Sequence, residues 1–432
     1  LELAIGHWGT QTFVANADFK ESHQVTFGIN LINVGGVDRN GRDASNELSY
    51  LILHVIGLLK LSAPSIGFQW HENIPRWLLD KAIDTNIKTK GGIPLFENGD
   101  HVSDYYIAEG IPPEEAREWY GLGCVTPVLL NNIEHNGAEG LGAVNIAAVF
   151  DVTLHNGVSA ITGKKVGLGT GDPRSFKTFE ELYDAFKKQD EYIIGRVLWL
   201  GRIAREYSDK YIRFPFLSTI ISEGCMTYGE DLMTPNPAYH TFTLSDRGIV
   251  DTADSLFAVK KLVFDEKKLT MDELLNAMDS NFEGVRGEEI RQMCLSVPKF
   301  GNDIEEVDLM VRDVGAFSAR VIQSYDNRPY KRYWIAREGL SWHYYGGLGV
   351  GALPNGRKSL EPLNDGSISP MRGMDKCGPT GVLRSALKAD FREATATALN
   401  QKFPTSIMKS TESRGKIITL TDTFLRQGGQ HI

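Results

Sequence analysis

Residues 121–127, GLGCVTP, place a single cysteine, Cys124, between two glycines and a proline. Glycine and proline both disfavour the interior of a helix or a central strand, so the Cys124 sulfur is predicted to lie at the tip of a turn. A thiol held there could act as a reactive group, whereas a free cysteine more often packs as a small buried hydrophobe. This stretch alone leaves both interpretations open.

Helical and extended segments alternate along the whole chain, which indicates α/β architecture. Ser45 is predicted to cap a helix that runs to about residue 61. The remaining expected helices cover residues 75–84, 112–119, 144–154, 179–188, 192–208, 256–263 and 271–278, and buried strands are expected at 65–70 and 216–222. The helix over 112–119 would deliver the chain directly into the Cys124 turn.

The chain shows no internal boundary. No linker rich in proline, glycine and serine, no repeat and no low-complexity tract interrupts it, so a single domain over residues 1–432 is expected. The sequence starts at Leu1 rather than at a methionine, and it ends at Ile432 without a closing element. The domain is therefore expected to be incomplete at both ends, as a piece of a longer protein.

The composition limits the kinds of molecule that this protein is expected to bind. Hydrophobic residues make up 42% and charged residues 23% of the 432 residues, which is ordinary for a globular protein and excludes a disordered, collagenous or disulfide-stapled chain. The formal net charge of -9 comes from interspersed acidic and basic residues, so no basic stripe for nucleic acid and no polybasic patch for a membrane is present. A small-molecule partner is expected.

The cysteines and the apolar runs indicate a cytoplasmic protein. Neither a disulfide framework nor a metal site is predicted, because no C-x-x-C pair and no zinc spacing occurs among the four cysteines, Cys124, Cys225, Cys294 and Cys377. The longest apolar run, residues 50–59, is interrupted by His54 and has about half the length that a bilayer requires. No transmembrane helix is therefore predicted.

Two glycine-rich stretches resemble nucleotide-binding motifs without their context. Residues 347–352 match G-x-G-x-x-A, but that motif must open a helix and Pro354 would break one at once. Residues 167–172 lack the Lys-Ser/Thr ending of a phosphate-binding loop. No metalloprotease, serine-hydrolase or paired-carboxylate motif is present.

Short motifs in one collinear order connect the Cys124 turn to a known superfamily. They include Gly35-Gly36-Val37, Asp43-Ala44-Ser45-Asn46-Glu47-Leu48, Gly123-Cys124-Val125, Asn156-Gly157, Thr170-Gly171-Asp172-Pro173, Ala253-Asp254-Ser255-Leu256, Gly301-Asn302-Asp303, Ala352-Leu353-Pro354-Asn355-Gly356-Arg357 and Gly378-Pro379-Thr380. Together they resemble the catalytic subunits of the glycyl radical enzymes, the superfamily of pyruvate formate-lyase and of the choline and diol lyases. The resemblance covers almost the whole chain.

The resemblance implies a fold and a role for the cysteine. The family has an α/β barrel of ten strands, built from two half-barrels surrounded by helices, with the cysteine on a central finger loop. A radical stored on a glycine backbone moves to the cysteine sulfur, and the thiyl abstracts a hydrogen atom from substrate in a dry cavity. By this resemblance Cys124 is the catalytic residue, and its neighbours Leu122, Gly123, Val125 and Thr126 are candidates for substrate binding.

The resemblance also implies partners. An activating enzyme that uses S-adenosylmethionine and an iron–sulfur cluster installs the radical in this family, the catalytic subunits are usually homodimers, and some have small accessory subunits. The chemistry is anaerobic. No cofactor bound to the chain itself and no metal is expected.

The family's radical-bearing glycine lies in an R-V-x-G-aromatic loop that we do not find. Arg196-Val197 and Arg320-Val321 are followed by other residues, and residues 427–432 resemble the approach to that loop. The chain is therefore expected to be a fragment that lacks the N-terminal part and the glycyl radical loop, and to be inactive as it stands.

Two residues beside Cys124 differ from the family's common patterns. Thr126 stands where the dehydratases and the C–N or C–S lyases have a glutamate base, and a hydroxyl is a poor base at neutral pH. Gly123 stands where pyruvate formate-lyase has a second cysteine. Elimination from a diol or choline and acyl transfer are therefore not expected. The apolar residues around the tip fit either an apolar substrate or barrel packing.

Three hypotheses follow for the function. The first is addition of a hydrocarbon radical to fumarate, with Arg337 as a distant candidate for the cationic clamp that fumarate needs. The second is radical decarboxylation or another C–X cleavage that uses a different base, for which Glu134, His135 and Glu139 are candidates. The third is a non-catalytic relative that lacks the glycyl radical.

Overall fold

The fold was obtained as a computed structural model. It describes residues 31–60, 64–90, 92–122, 126–129, 143–211, 216, 223–229, 231, 242–325, 333–337, 342–404, 406, 408 and 410–432. Within these residues, none of the helices combines the length and the apolar character needed to cross a membrane.

Three parallel strands form an N-terminal half-sheet. They are β1 (Leu31–Gly35), β2 (Ser65–Trp70) and β3 (Leu95–Asn98), which neighbour one another in that order. Parallel neighbours need crossover connections, and the helices α1 (Glu47–Leu59) and α2 (Arg76–Thr89) supply them. The strand expected at 65–70 is confirmed.

A β-hairpin follows this half-sheet. After the helices α3 (Gly99–Ala108) and α4 (Pro113–Ala116), the chain forms β4 (Trp119–Leu122) and β5 (Thr126–Leu129), which pair antiparallel. The expected helix over 112–119 is therefore too long, because α4 ends at Ala116 and Trp119 already pairs with Leu129 of β5. The segment that leads into the cysteine turn is a strand.

Four parallel strands form a second half-sheet. These are β6 (Ala143–Asn145), β7 (Thr243–Arg247), β8 (Trp334–Arg337) and β9 (Ala396–Thr397), again in sequence order. The chain between and beyond them carries the helices α5 (Ile146–Leu154), α6 (Phe179–Tyr211), α7 (Glu223–Tyr228), α8 (Ile249–Val259), α9 (Met271–Asp279), α10 (Gly284–Ser296), α11 (Glu305–Ser324), α12 (Trp342–Leu348), α13 (Gly378–Ala389) and α14 (Thr411–Arg426), with a 3-10 turn at Pro173–Ser175 and a π-helical continuation of α8 at Lys260–Asp265.

The last three residues of the chain join the two half-sheets. Phe96 and Ile432 exchange two backbone hydrogen bonds of 3.0 Å, and the Leu399 amide donates to the His431 carbonyl at 3.3 Å. His431 bridges β3 antiparallel and the residue after β9 in parallel, so the two half-sheets run in opposite directions. We call residues 430–432 the seam. The expected α/β architecture with two half-sheets is present, while the number of ten strands stays a prediction.

Tertiary contacts explain why two expected helices are one. The polar residues Gln189 and Asp190 separate the segments predicted at 179–188 and 192–208, but α6 runs through both without a break. Gln189 is fully buried and exchanges hydrogen bonds with the Leu168 backbone at 2.7 and 2.9 Å, and Asp190 accepts one from the Ser318 hydroxyl at 2.7 Å. These residues bind other parts of the fold rather than ending the helix.

Other expected boundaries shift by a few residues. Asn46, and not Ser45, caps α1, because its side-chain oxygen accepts from the amides of Leu48 and Ser49 at 2.9 and 3.2 Å. The helix expected from residue 144 starts at Ile146, after β6. The strand expected over 216–222 lies outside the described residues except for Phe216, which is helical.

Candidate active site

The cysteine segment lies in the sequence between the two paired strands β4 and β5. Leu122 pairs with Thr126, so residues 123–125 are the connection between the two strands. Cys124 itself, with Gly123 and Val125, lies outside the described residues, as do the candidate bases Glu134, His135 and Glu139. The turn expected at these residues and the role of Cys124 both stay predictions.

Two side chains of the first half-sheet bind the backbone of β4. The Asn33 side-chain oxygen accepts a hydrogen bond from the Gly121 amide at 3.1 Å, and the Gln69 side-chain amide donates to the Trp119 carbonyl at 3.1 Å. Gly67 lies beside Asn33 in β2, where an added Cβ would stand 2.7 Å from the Asn33 oxygen. The hairpin therefore lies against the face of the half-sheet that carries Asn33.

Aromatic residues connect the hairpin to the second half-sheet. Trp119 and its cross-strand partner Leu129 belong to a buried cluster with Tyr106 and Trp334. The Tyr106 hydroxyl donates to the Pro127 carbonyl at 2.8 Å, and its ring lies 5.0 Å from that of Trp334 in β8. The hairpin is thus placed between the two half-sheets, and we call the faces that contact it the inner faces.

Strand register assigns further residues to the inner face of the second half-sheet. Thr243 pairs with Trp334, and neighbouring residues in register project to the same side of a sheet. Because side chains alternate along a strand, Ser245 and Arg247 share that side with Thr243. All three are at most 2% exposed.

Arg247 provides a positive charge on this inner face. Its Nε donates to the Ser245 hydroxyl at 3.0 Å, and its guanidinium carbon lies 5.2 Å from the centre of the Trp342 ring. A planar guanidinium suits carboxylate and sulfonate groups because it can donate two parallel hydrogen bonds. Sequence reasoning missed Arg247, since nothing local distinguishes it from other arginines that follow an apolar stretch.

Arg337, the arginine that the sequence offered as a fumarate clamp, projects to the opposite face. It is fully buried and binds both carboxylate oxygens of Asp246 at 2.8 Å, while Nη1 donates to Glu393 at 2.9 Å. Burial alone would lower the pKa of Arg337, but the carboxylates of Asp246 and Glu393 outweigh that cost and raise it. That expectation is wrong, because the charge is neutralised behind the sheet.

Of the candidate binding residues around the tip, the structure describes Thr126 and the backbone of Leu122. Thr126 is 3% exposed and lies at the end of β5 next to the tip. Its hydroxyl can orient a polar group but does not accept a proton at neutral pH. A base for the reaction must therefore be a residue other than Thr126.

The inner face of the first half-sheet carries a carboxylate that sequence reasoning also missed. Glu97 in β3 is 2% exposed, and its Oε2 would stand 2.9 Å from a Cβ added to Gly67, on the side that carries Asn33. A glutamate inside the buried strand Leu95–Asn98 is a signal that could have identified it, because charged residues rarely enter such strands without a role.

Comparison with protein families identifies two matches. Residues 11–344 match the family described as "Pyruvate formate lyase-like", and residues 364–432 match the family described as "Glycine radical". The expectation that the glycyl radical portion is absent is therefore wrong, because the matched domain extends to the last residue. The inference of inactivity and the hypothesis of a non-catalytic relative both depended on that absence, so neither is supported.

Individual relatives are lyases. The chain is 34% identical to trans-4-hydroxy-L-proline dehydratase of Clostridioides difficile over 420 residues, 96% of this chain and 51% of that protein. It is 31% identical to isethionate sulfite-lyase of Oleidesulfovibrio alaskensis, over 91% of this chain and 47% of the relative. The chain thus spans about half the length of the curated relatives it matches.

Solved structures of similar proteins have the same fold as this chain. The glycerol-bound form of the B12-independent glycerol dehydratase from Clostridium butyricum superposes with a TM-score of 0.90 at 30% identity, over 97% of this chain and 52% of that one. These relatives are dehydratases and sulfite-lyases rather than enzymes that add hydrocarbons to fumarate. The first functional hypothesis is corrected accordingly.

Proposed function

Because this chain belongs to the pyruvate formate lyase-like family of glycyl radical enzymes, we propose that it acts as a radical lyase that breaks a carbon–heteroatom bond in a small polar substrate. The relatives named above cleave such substrates according to their names, which supports the proposal. The bond is C–O or C–S, the two types that a dehydratase and a sulfite-lyase break.

The polar character of both inner faces carries this proposal. The first half-sheet presents Asn33, Gln69 and Glu97, and the second presents Ser245 and Arg247. A hydrocarbon in this space would displace water from charged and polar side chains without offering a hydrogen bond in return, whereas a polar substrate can offer one. The expectation of an apolar substrate, based on the residues around the tip, is replaced by that of a polar one.

Cys124 is the proposed site of the radical step. The Cys124 S–H gives its hydrogen atom to the glycyl radical of the family, which leaves the sulfur as a thiyl. Cys124 then takes a hydrogen atom from a substrate carbon, which breaks a C–H bond and forms S–H. The neighbouring C–X bond breaks with its electron pair on X while the substrate gives up a proton to X, and the S–H then returns the hydrogen atom to the carbon that X has left. No external oxidant is consumed.

Arg247 is the proposed anchor for an anionic group of the substrate. Hydroxyproline carries a carboxylate and isethionate a sulfonate, and each is matched by a guanidinium. Thr126 and the tip residues Leu122, Gly123 and Val125 complete the proposed binding surface next to the cysteine. We also propose an anaerobic, cytoplasmic homodimer that is activated by a radical S-adenosylmethionine enzyme and that binds small accessory subunits.

Turnover of defined compounds tests the proposed function. The complete protein is activated without oxygen by an S-adenosylmethionine-dependent activase, and radical content is measured by electron paramagnetic resonance. Trans-4-hydroxy-L-proline, isethionate, 1,2-propanediol, and toluene with fumarate are then supplied, and products are measured by mass spectrometry. We expect elimination from a hydroxylated compound and no succinate adduct, with Cys124→Ala inactive as the control. A full radical signal with an adduct and no elimination would contradict the proposal.

A further inference from the structure

Glu97 and His431 face each other across the seam. Residues 96 and 432 exchange backbone hydrogen bonds, and the Asn98 amide donates to the Gln430 carbonyl at 2.8 Å. Glu97 and His431 lie between these bonds as an antiparallel bridge pair. In such a non-hydrogen-bonded pair the two Cβ atoms are about 4.5–5.5 Å apart and the side chains project to the same side.

That side is the inner face of the first half-sheet. Glu97 Oε2 and Asn33 Oδ1 both lie within 3 Å of one point, the position of a Cβ on Gly67, and Asn33 binds the hairpin. The neighbour of His431 projects the other way, since the Gln430 side chain donates to the Phe391 carbonyl at 2.6 Å. The Phe391 ring lies 4.2 Å from the Arg337 guanidinium on the outer side of the second half-sheet.

His431 presents an unused hydrogen-bonding atom to this interior. The residue is 6% exposed, and its Nδ1 makes no hydrogen bond to any residue that the structure describes. Burial lowers the pKa of His431 to about 4, so its imidazole is neutral at physiological pH and offers one donor and one acceptor. A buried polar atom without a partner in a native fold requires an explanation, and a bound polar ligand is one.

We propose that Glu97 and His431 together bind a hydroxyl group of the substrate and that Glu97 takes its proton. This inference rests on the proposed function and supplies the base that Thr126 cannot be. Asn33, on the same face, connects the pair to the strand that leads to the tip of the hairpin.

The proton step balances within the proposed reaction. The hydroxyl O–H breaks and an O–H bond forms on the Glu97 carboxylate, while the substrate oxygen forms a carbonyl and the C–X electron pair leaves with X. The proton on Glu97 then passes to the departing oxygen or sulfur group. The carboxylate returns to its starting state, and only substrate atoms are redistributed.

Isosteric substitutions distinguish this role from a structural one. Glu97→Gln keeps the size and removes the basicity, and we expect product formation to fall about 10²–10⁴-fold. His431→Gln is expected to raise KM about tenfold through the loss of one hydrogen bond. The matched control is Thr397→Val on the outer face of β9, which should behave as the unmodified protein.

Two readouts report whether only the proton step is lost. In Glu97→Gln the radical signal and the thermal midpoint should match those of the unmodified protein. Exchange of the substrate C–H hydrogen with solvent deuterium should persist, because that exchange passes through the Cys124 sulfur. Product formation within threefold of the unmodified protein would overturn the inference, and so would loss of the deuterium exchange together with turnover.

If none of the supplied compounds is converted, that result counts against the proposed function only. The inference about Glu97 and His431 is then tested by soaking crystals of the protein with a probe. The probe is glycerol. A glycerol hydroxyl within hydrogen-bonding distance of both Glu97 and His431, lost in Glu97→Ala and kept in Thr397→Val, supports the pair as a hydroxyl site. Glycerol bound elsewhere in the interior, or an interior without glycerol, would overturn it.

Discussion

The face of a strand on which a charged residue lies decides what that residue can do in this molecule. Arg337 and Arg247 come from neighbouring strands and are both buried, yet one is neutralised behind the sheet by Asp246 and the other projects toward the hairpin. Glu97 projects to the inner face of the other half-sheet. Only those buried charged residues that project to an inner face, such as Arg247 and Glu97, can therefore belong to the candidate site.

Removal of the Arg337 charge should destabilise the fold. Arg337→Gln leaves Asp246 buried without its cation, and we expect the free energy of unfolding to fall by about 3–5 kcal/mol. Chemical denaturation measures the change. The control is Arg202→Gln, which removes an exposed pair with Glu206 on α6 and should cost less than about 1 kcal/mol. Equal effects of the two substitutions would contradict the assignment of Arg337 to a structural role.

His155 should make stability depend on pH. Burial lowers the pKa of His155, but hydrogen bonds and ion pairing with Asp151 and a hydrogen bond to Asp279 raise it, to about 9. Because the folded state holds this proton more tightly, the contribution to stability is complete below the ordinary pKa of 6.5 and is lost as the pH rises to about 9. The difference in thermal midpoint between the unmodified protein and His155→Gln should shrink over that interval. A constant difference would argue against the ion pairs.

The ends of the strands and helices depend on their contacts with other parts of the fold. The chain before the cysteine turn pairs as a strand, since Asn33 and Gln69 bind β4 from the neighbouring half-sheet. Helix α6 continues through Gln189 because that side chain binds the backbone of Leu168. Polar residues that end a helix in an isolated chain can instead connect it to its neighbours.

Two adjacent residues, Ser45 and Asn46, have different roles at the start of α1. Asn46 accepts hydrogen bonds from two amides of the first turn, whereas the Ser45 hydroxyl donates to Asp43 at 2.5 Å. Asn46→Ala should lower the free energy of unfolding by about 1 kcal/mol. Ser45→Ala should change it by less than about 0.5 kcal/mol. Denaturation of the two variants side by side measures both, and a larger loss for Ser45→Ala would reverse the assignment of the cap.

At the scale of the whole molecule, three residues at the end of the sequence join the two half-sheets. The seam pairs with β3 on one side and with the residues after β9 on the other, while the hairpin lies between the inner faces. The family match labelled "Glycine radical" extends over these residues. The part of the chain that belongs to the radical domain is therefore also part of the wall of the proposed site.

Disruption of the seam should loosen both half-sheets together. Ile432→Pro removes the amide that donates to the Phe96 carbonyl at 3.0 Å, and proline cannot replace that donor. We expect faster hydrogen–deuterium exchange at the amides of Phe96, Asn98 and Leu399. Ile432→Val keeps the amide and serves as the control. Unchanged protection in β3 would show that the seam does not hold the half-sheets in place.

The sequence alone determined the family, the α/β class and the strand at 65–70. These features depend on local patterns, namely collinear motifs and apolar periodicity. Such patterns report the structure of a segment without identifying its partners. For that reason Ser45, residues 112–119 and the division of α6 were predicted incorrectly.

Only the tertiary structure decided which polar residues meet. Glu97 and His431 come from distant parts of the chain and become neighbours because the seam pairs with β3. Arg247 and Arg337 cannot be distinguished by sequence, since strand register decides which of them projects inward. Pairing between strands is set by burial and backbone hydrogen bonds over the whole fold. A local sequence pattern therefore does not predict which strands pair.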